Sequence, residues 1–170
     1  MRFALSLGSN VGDSLATLRA AVAELAAVPG LTLDAVSGVY RTAPVGGAEQ
    51  ADFFNIVVTG TTDLPPRAVS DAAHAVEDAH GRTREVRWGP RTLDVDVLVC
   101  GDVVSDDPEL TLPHPRAHER AFVLVPWANA DPDAVLPGHG RVADLAARTG
   151  AEGVRLTGDA VPLSGGEAGR

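Results

Sequence analysis

The most reactive stretch of the sequence is Arg87-Trp88-Gly89-Pro90-Arg91-Thr92-Leu93-Asp94-Val95-Asp96-Val97-Leu98. Read as a strand, it points Leu93, Val95, Val97 and Val99 to one side and Thr92, Asp94 and Asp96 to the other, because strand side chains alternate faces. The two carboxylates then stand about 6 to 7 Å apart along the strand. Aspartate is a poor strand former and like charges on one face repel, so this pair breaks a local rule where the flanking residues obey it. Hard cations relieve such repulsion. Mg²⁺ in particular takes one or two carboxylates together with substrate phosphates and water, and two such ions bridging phosphates could activate an attacking hydroxyl.

D-x-D alone occurs often by chance and can simply line a solvated strand face. Arginines just upstream weigh against that reading. All fourteen basic residues are arginine, and Arg82, Arg84, Arg87 and Arg91 fall in one ten-residue window. Guanidinium groups take phosphate oxygens in bidentate hydrogen bonds, so the carboxylates and the arginines together suit a small, highly anionic ligand. With no lysine and no G-x-x-x-x-G-K-[ST] loop, the P-loop mode of phosphate binding is excluded. The protein-kinase signatures are absent as well.

Thr42, Val45, Phe53, Asn55, Trp88 and Phe122 form a second group. Three of the seven aromatic residues of the chain lie near the arginine and aspartate elements. Aromatics flanking a flat ring while one amide reads its edge would suit a heterocycle. Phe53 and Phe122 taken singly read more readily as core, whereas Asn55 in an apolar strand needs a buried partner. A third stretch, Pro113-His114-Pro115-Arg116 followed by His118-Glu119-Arg120, is rich in turns and basic groups but has no zinc spacing.

The elements that position these residues follow from the periodicity. Residues 2 to 7 alternate as a strand and Gly8, Ser9, Asn10 and Gly12 read as a turn. Leu15, Leu18, Val22 and Leu25 recur at helical spacing after an N-cap at Asp13 or Ser14, until Pro29 and Gly30. Residues 31 to 40 are again extended, and a loop from Thr42 to Asp52 leads into a strand from Phe53 to Thr62. Pro65 and Pro66 open a helix whose buried stripe is Val69, Ala72, Ala73 and Val76. Thr92 to Val99 is the strongest strand signal. This order predicts an α+β fold with a ferredoxin-like βαββαβ core, an antiparallel sheet with helices on one or both faces, and additional C-terminal elements that include a helix around 142–148.

The chain has 170 residues, 45% hydrophobic, with a net charge of −9. That length predicts a single catalytic domain over 1–160, with residues 161–170 a loose Gly- and Ser-containing tail. The negative charge argues against nucleic-acid binding. No run is apolar enough to span a membrane and no signal peptide is evident, so the cytosol is the expected compartment. Cys100, the lone cysteine, reads as a buried thiol.

With these residues in view, the sequence resembles the 6-hydroxymethyl-7,8-dihydropterin pyrophosphokinase family. The elements that carry the resemblance are Leu7-Gly8-Ser9-Asn10, Tyr40-Arg41-Thr42 with Pro44, Asp52 with Asn55, Arg87 through Leu98, Leu112-Pro113-His114 and Arg120-Ala121-Phe122, in family order over the first 130 residues or so. The resemblance implies transfer of a diphosphate from ATP to the pterin hydroxymethyl group in folate biosynthesis, releasing AMP. It implies two Mg²⁺ ions on Asp94 and Asp96, with Arg82, Arg84, Trp88, Arg91, His114 and Arg120 on ATP and Arg82 and Arg91 among the catalytic groups. Thr42, Val45, Phe53, Asn55, Trp88 and Phe122 would hold the pterin. ATP and the pterin are the implied partners of a monomer. Ala43 stands where the family often has proline, and Phe53 where it often has tyrosine. Two other readings remain open on the residues alone: a sugar-nucleotide transferase that also uses D-x-D, and a non-catalytic binding module gripping RNA through the arginine loop.

Overall fold

The computed structural model describes residues 1–43, 52–80 and 93–163. Val45, Arg82, Arg84, Arg87, Trp88 and Arg91 lie outside the described residues. The described chain runs β1 (Arg2–Ser9), α1 (Ser14–Ala26), β2 (Leu31–Val36), β3 (Tyr40–Thr42), β4 (Phe53–Thr62), α2 (Pro66–Ala79) and β5 (Asp94–Cys100). A hairpin of β6 (Ser105–Asp107) and β7 (Leu110–Leu112), a 3₁₀ turn at Ala117–Glu119 and α3 (Ala121–Ala130) follow. The chain then forms β8 (Val135–Leu136), β9 (Gly140–Arg141), α4 (Val142–Thr149) and β10 (Val154–Leu156).

The main sheet is antiparallel, in the order β10-β3-β4-β1-β5, with β2 also pairing β4. This is the expected α+β arrangement with its βαββαβ core, and helices cover both faces. One core cluster joins the sheet to α1 and α2 through Leu5, Leu7, Leu18, Val22, Leu25, Ile56, Val69 and Val95. The other joins it to α3 and α4 through Ala4, Val57, Leu124, Trp127, Val142 and Leu145. Burial on both faces explains why β1 is apolar or small along nearly its whole length.

Local signals act largely as the sequence suggests. The Asp13 side chain accepts a hydrogen bond from the Ala16 amide at 3.0 Å and caps α1. Pro65 and Pro66 occupy the start of α2, where the missing amide hydrogens cost nothing. Burial pushes the Cys100 thiol up to about 11, in keeping with an unreactive core thiol.

Five expectations are corrected. Gly8 and Ser9 belong to β1 rather than to a turn, because their ladder to β4 continues through Asn55 and Phe54. The extended segment 31–40 is broken: β2 ends at Val36 and β3 starts at Tyr40, so the expected loop begins after Thr42. Val99 does not share a face with Val95 and Val97. The β1–β5 register shifts between Ala4 and Leu5, leaving Leu98 as the extra residue of a bulge, and Leu98 and Val99 pack in the cluster under α3 and α4. Helix α3 went unforeseen, since Pro126 inside it is a helix-breaking signal and its apolar residues have no polar face. Finally Val161, placed in the loose tail, is buried in the cluster beneath α1 and α2.

Candidate active site

The register of three strands builds one surface. Gly8 lies opposite Asp94 on one side and Asn55 on the other, and Asn55 lies opposite Tyr40. The next rows place Ser6 beside Asp96 and Thr42 beside Phe53. Directly opposed residues share a face, so Asp94, Asp96, Gly8, Asn55, Phe53 and Thr42 all lie on the face that carries α3. Gly8, Thr42 and Asn55 are buried there, while Phe53, Asp94 and Asp96 are half-buried. The bulge at Leu98 leaves both aspartates on this face, and both are half-buried.

Asn55 is buried, and its amide is anchored: Nδ2 donates to Thr42 Oγ1 at 2.9 Å. That bond leaves Oδ1 lying across Gly8, where a Cβ would come within 2.8 Å of it. The same Cβ would meet the Phe53 ring edge at 3.8 Å. Glycine at this position thus lets the Asn55 side chain lie as it does, whereas the Phe53 ring would meet a Cβ only in ordinary contact.

The segment after β7 supplies cations to the aspartate side. The His114 amide donates to the Leu98 carbonyl at 2.9 Å, tying this turn to the bulge of β5. His114 Nδ1 accepts from the Arg116 amide at 3.2 Å, which leaves the proton of the neutral ring on Nε2. Burial pulls the His114 pKa below its usual value; the Asp96 charge opposes this, while Arg120 and Arg116 add to the lowering. The Arg120 guanidinium stands 5.6 Å from the centroid of the Phe122 ring, and Phe122 packs partly on the second core cluster. Core support and site membership are therefore compatible for Phe122. Among the described residues no group of three or more metal-ligating side chains converges.

Two positions that sequence reasoning missed shape the site. Glu77 of α2 is buried, and its Oε2 accepts from the Val95 amide at 2.8 Å, on the outer edge of β5 between the two aspartates. A carboxylate four residues after Ala73, on the buried stripe of α2, was the available signal. Gly8 stands in a stretch that carries the family resemblance, but its spatial role gave no signal because it depends on a neighbour across the ladder.

A sequence model described as 7,8-dihydro-6-hydroxymethylpterin-pyrophosphokinase (HPPK) matches residues 4–132. The chain belongs to the HPPK family. A 2-amino-4-hydroxy-6-hydroxymethyldihydropteridine pyrophosphokinase of Methylorubrum extorquens is 47% identical over 134 residues, covering 79% of this chain and 85% of that protein. The protein of the same name from Pseudomonas aeruginosa is 40% identical and covers 92% of this chain and 98% of its own length. Among solved structures, a Plasmodium falciparum HPPK-DHPS triple mutant with pteroate superposes with a TM-score of 0.67 over 91% of this chain at 12% identity, which bears on the fold alone. This chain spans 46% of that HPPK-DHPS chain. The HPPK match covers every described residue of the surface built by β1, β3, β4, β5 and the start of α3.

Proposed function

We propose that this chain transfers a diphosphate from ATP to the hydroxymethyl oxygen of 6-hydroxymethyl-7,8-dihydropterin, giving AMP and the pterin diphosphate in folate biosynthesis. The observation that carries the reading is the placement of the Asp94–Asp96 pair on the same face as the Thr42-anchored Asn55 amide, in an HPPK-family chain. One element presents carboxylates for a metal–polyphosphate, and its neighbours present an amide and aromatic rings for a heterocycle. The reaction needs both at one site.

The residues fit two Mg²⁺ ions in donor chemistry. Asp94 and Asp96 are hard oxygen donors on one strand face, half-buried yet accessible, and Mg²⁺ commonly takes only one or two carboxylates while phosphates and water complete its shell. Bound there, the ions would neutralise phosphate charge and orient the attacking hydroxyl. We assign His114, with its proton on Nε2, and Arg120 to the phosphate oxygens of ATP. Arg82, Arg84, Arg91 and Trp88, which lie outside the described residues, complete the proposed ATP site, with Arg82 and Arg91 assisting the transfer. Asn55 reads the pterin edge while Phe53, Phe122 and Thr42 enclose the ring. Val45 and Trp88, outside the described residues, belong to the proposed pterin set as well. The pterin hydroxymethyl oxygen bonds to the β-phosphorus and gives up its proton to water, the bond from that phosphorus to the oxygen bridging the α-phosphate breaks, and AMP leaves with that oxygen.

The form we propose is a cytosolic monomer with one catalytic domain over 1–160, and gel filtration reads its oligomeric state. The activity test is incubation with ATP, Mg²⁺ and the pterin, with chromatography of the nucleotides. AMP that depends on the pterin and falls at least a hundredfold in Asp96→Ala is the expected outcome. ADP in place of AMP would mean the γ-phosphate is moved and would overturn the reading.

A further inference from the structure

On the reverse side of the β3–β4 ribbon, away from Thr42, Phe53 and Asn55, lies a charged arrangement that the proposed reaction does not use. Arg41 faces Phe54 across the ladder, in alternation with the Thr42–Phe53 pair of the opposite face. The Arg41 Nε donates to Asp52 Oδ2 at 2.9 Å, and the Arg41 guanidinium carbon stands 5.8 Å from the centre of the Phe54 ring. Phe54 in turn packs against the core cluster beneath α1 and α2. Arg41 also lies opposite Arg155 of β10, so two like charges meet across that ladder. Directly opposed like charges destabilise a strand pair unless a counter-charge is at hand, and Asp52 supplies it.

We infer that Arg41 and Asp52 form a positioning clamp for the heterocycle pocket, fixing the register of β3 against β4 so that Thr42, Phe53 and Asn55 face the substrate. β3 has only three residues, Tyr40–Thr42, so its own ladder specifies register weakly. A slip of one residue would turn Thr42 to the wrong face and break its bond to Asn55. The guanidinium reaches both anchors at once: the carboxylate at the first residue before β4 and the ring of the second residue within it. Neither Arg41 nor Asp52 reaches the pocket itself, since their contacts lie on the reverse face. Both act on the substrate through Thr42 and Asn55 alone.

The inference rests on the proposed diphosphokinase activity and is tested by steady-state kinetics with each substrate varied in turn. An exposed ion pair and a surface cation–π contact are individually weak, so Asp52→Asn is expected to raise the KM for the pterin about threefold. Arg41→Gln, which loses both contacts, is expected to raise it about tenfold. The KM for ATP and kcat should stay within about twofold of the starting enzyme, because the carboxylate pair and the cations around His114 lie on other elements. The exchanged double variant Arg41→Asp with Asp52→Arg restores the ion pair, and its pterin KM should fall below that of Arg41→Gln. An unchanged pterin KM in both single variants, or a loss that falls equally on both substrates, overturns the clamp. Failure of the unaltered protein to form AMP overturns the activity reading instead, so the two failures are separable.

Discussion

Asp94 and Asp96 were readable from the sequence for a definite reason: a two-residue period on an apolar strand makes misplaced carboxylates visible without any knowledge of the neighbouring strands. Asn55 announced itself in the same way, as an amide among Phe54, Ile56 and Val57. Gly8 did not, because a glycine's meaning lies in what occupies the space its side chain would take. That space holds the Asn55 amide oxygen, 2.8 Å from where a Cβ would stand, and the amide is tethered to Thr42 on its other side. Gly8→Ala therefore forces Asn55 to give up either its position or its bond to Thr42. The expected result is a protein that folds normally by circular dichroism but whose KM for the pterin rises on the order of tenfold to a hundredfold, since small misplacements of a recognition group carry large costs. An unaltered pterin KM would show that Asn55 does not read the ring.

Strands and helices with clean periods were legible as elements, and the failures share a cause. α3 has apolar residues on all sides and a proline within it, so it lacks the stripe and the uninterrupted run by which helices are recognised; it forms because both the sheet and α4 bury it. The bulge at Leu98 was likewise invisible, being a property of how β5 pairs with β1 and not of either strand alone. β5 lies at the edge of the main sheet, yet the proposed reaction requires the two carboxylates on it to hold fixed positions. Glu77 answers part of that need from α2 by accepting the Val95 amide, an edge donor that no strand among the described residues pairs. Truncation to alanine leaves that amide buried without its acceptor. Glu77→Ala is expected to lower stability by about 1–3 kcal/mol in urea unfolding. Glu77→Gln retains an acceptor at the same reach and should recover a good part of the loss; equal destabilisation by both variants would mean that charge, not the bond to Val95, is what β5 requires.

At the scale of the whole molecule, one sheet separates two cores, and the candidate site lies on the sheet face that carries α3 and α4. The fold class was legible because the order of strands and helices admits few arrangements. Closure of the sheet by its last strand was not, for β10 is only three residues long and carries no alternation of its own. Yet β10 pairs with Tyr40–Thr42, Thr157 donates to the Val39 carbonyl at 2.9 Å, and Val161 returns to the core beneath α1 and α2. The chain after α4 thus braces β3, the element that presents Thr42 to Asn55. A chain ending at Leu163 keeps every one of these contacts, and we propose that residues 164–170 are dispensable: its melting temperature and both KM values should match the full chain. A chain ending at Gly153 loses β10 and the burial of Val161, which alone is worth about 1.5–3 kcal/mol. It should melt several degrees lower. Its KM for the pterin should also rise more than its KM for ATP, because β3 loses its outer partner while β5 and the His114 turn keep theirs. Equal deterioration toward both substrates would instead mean that the terminal segment supports the fold as a whole and has no preferential hold on the pterin side.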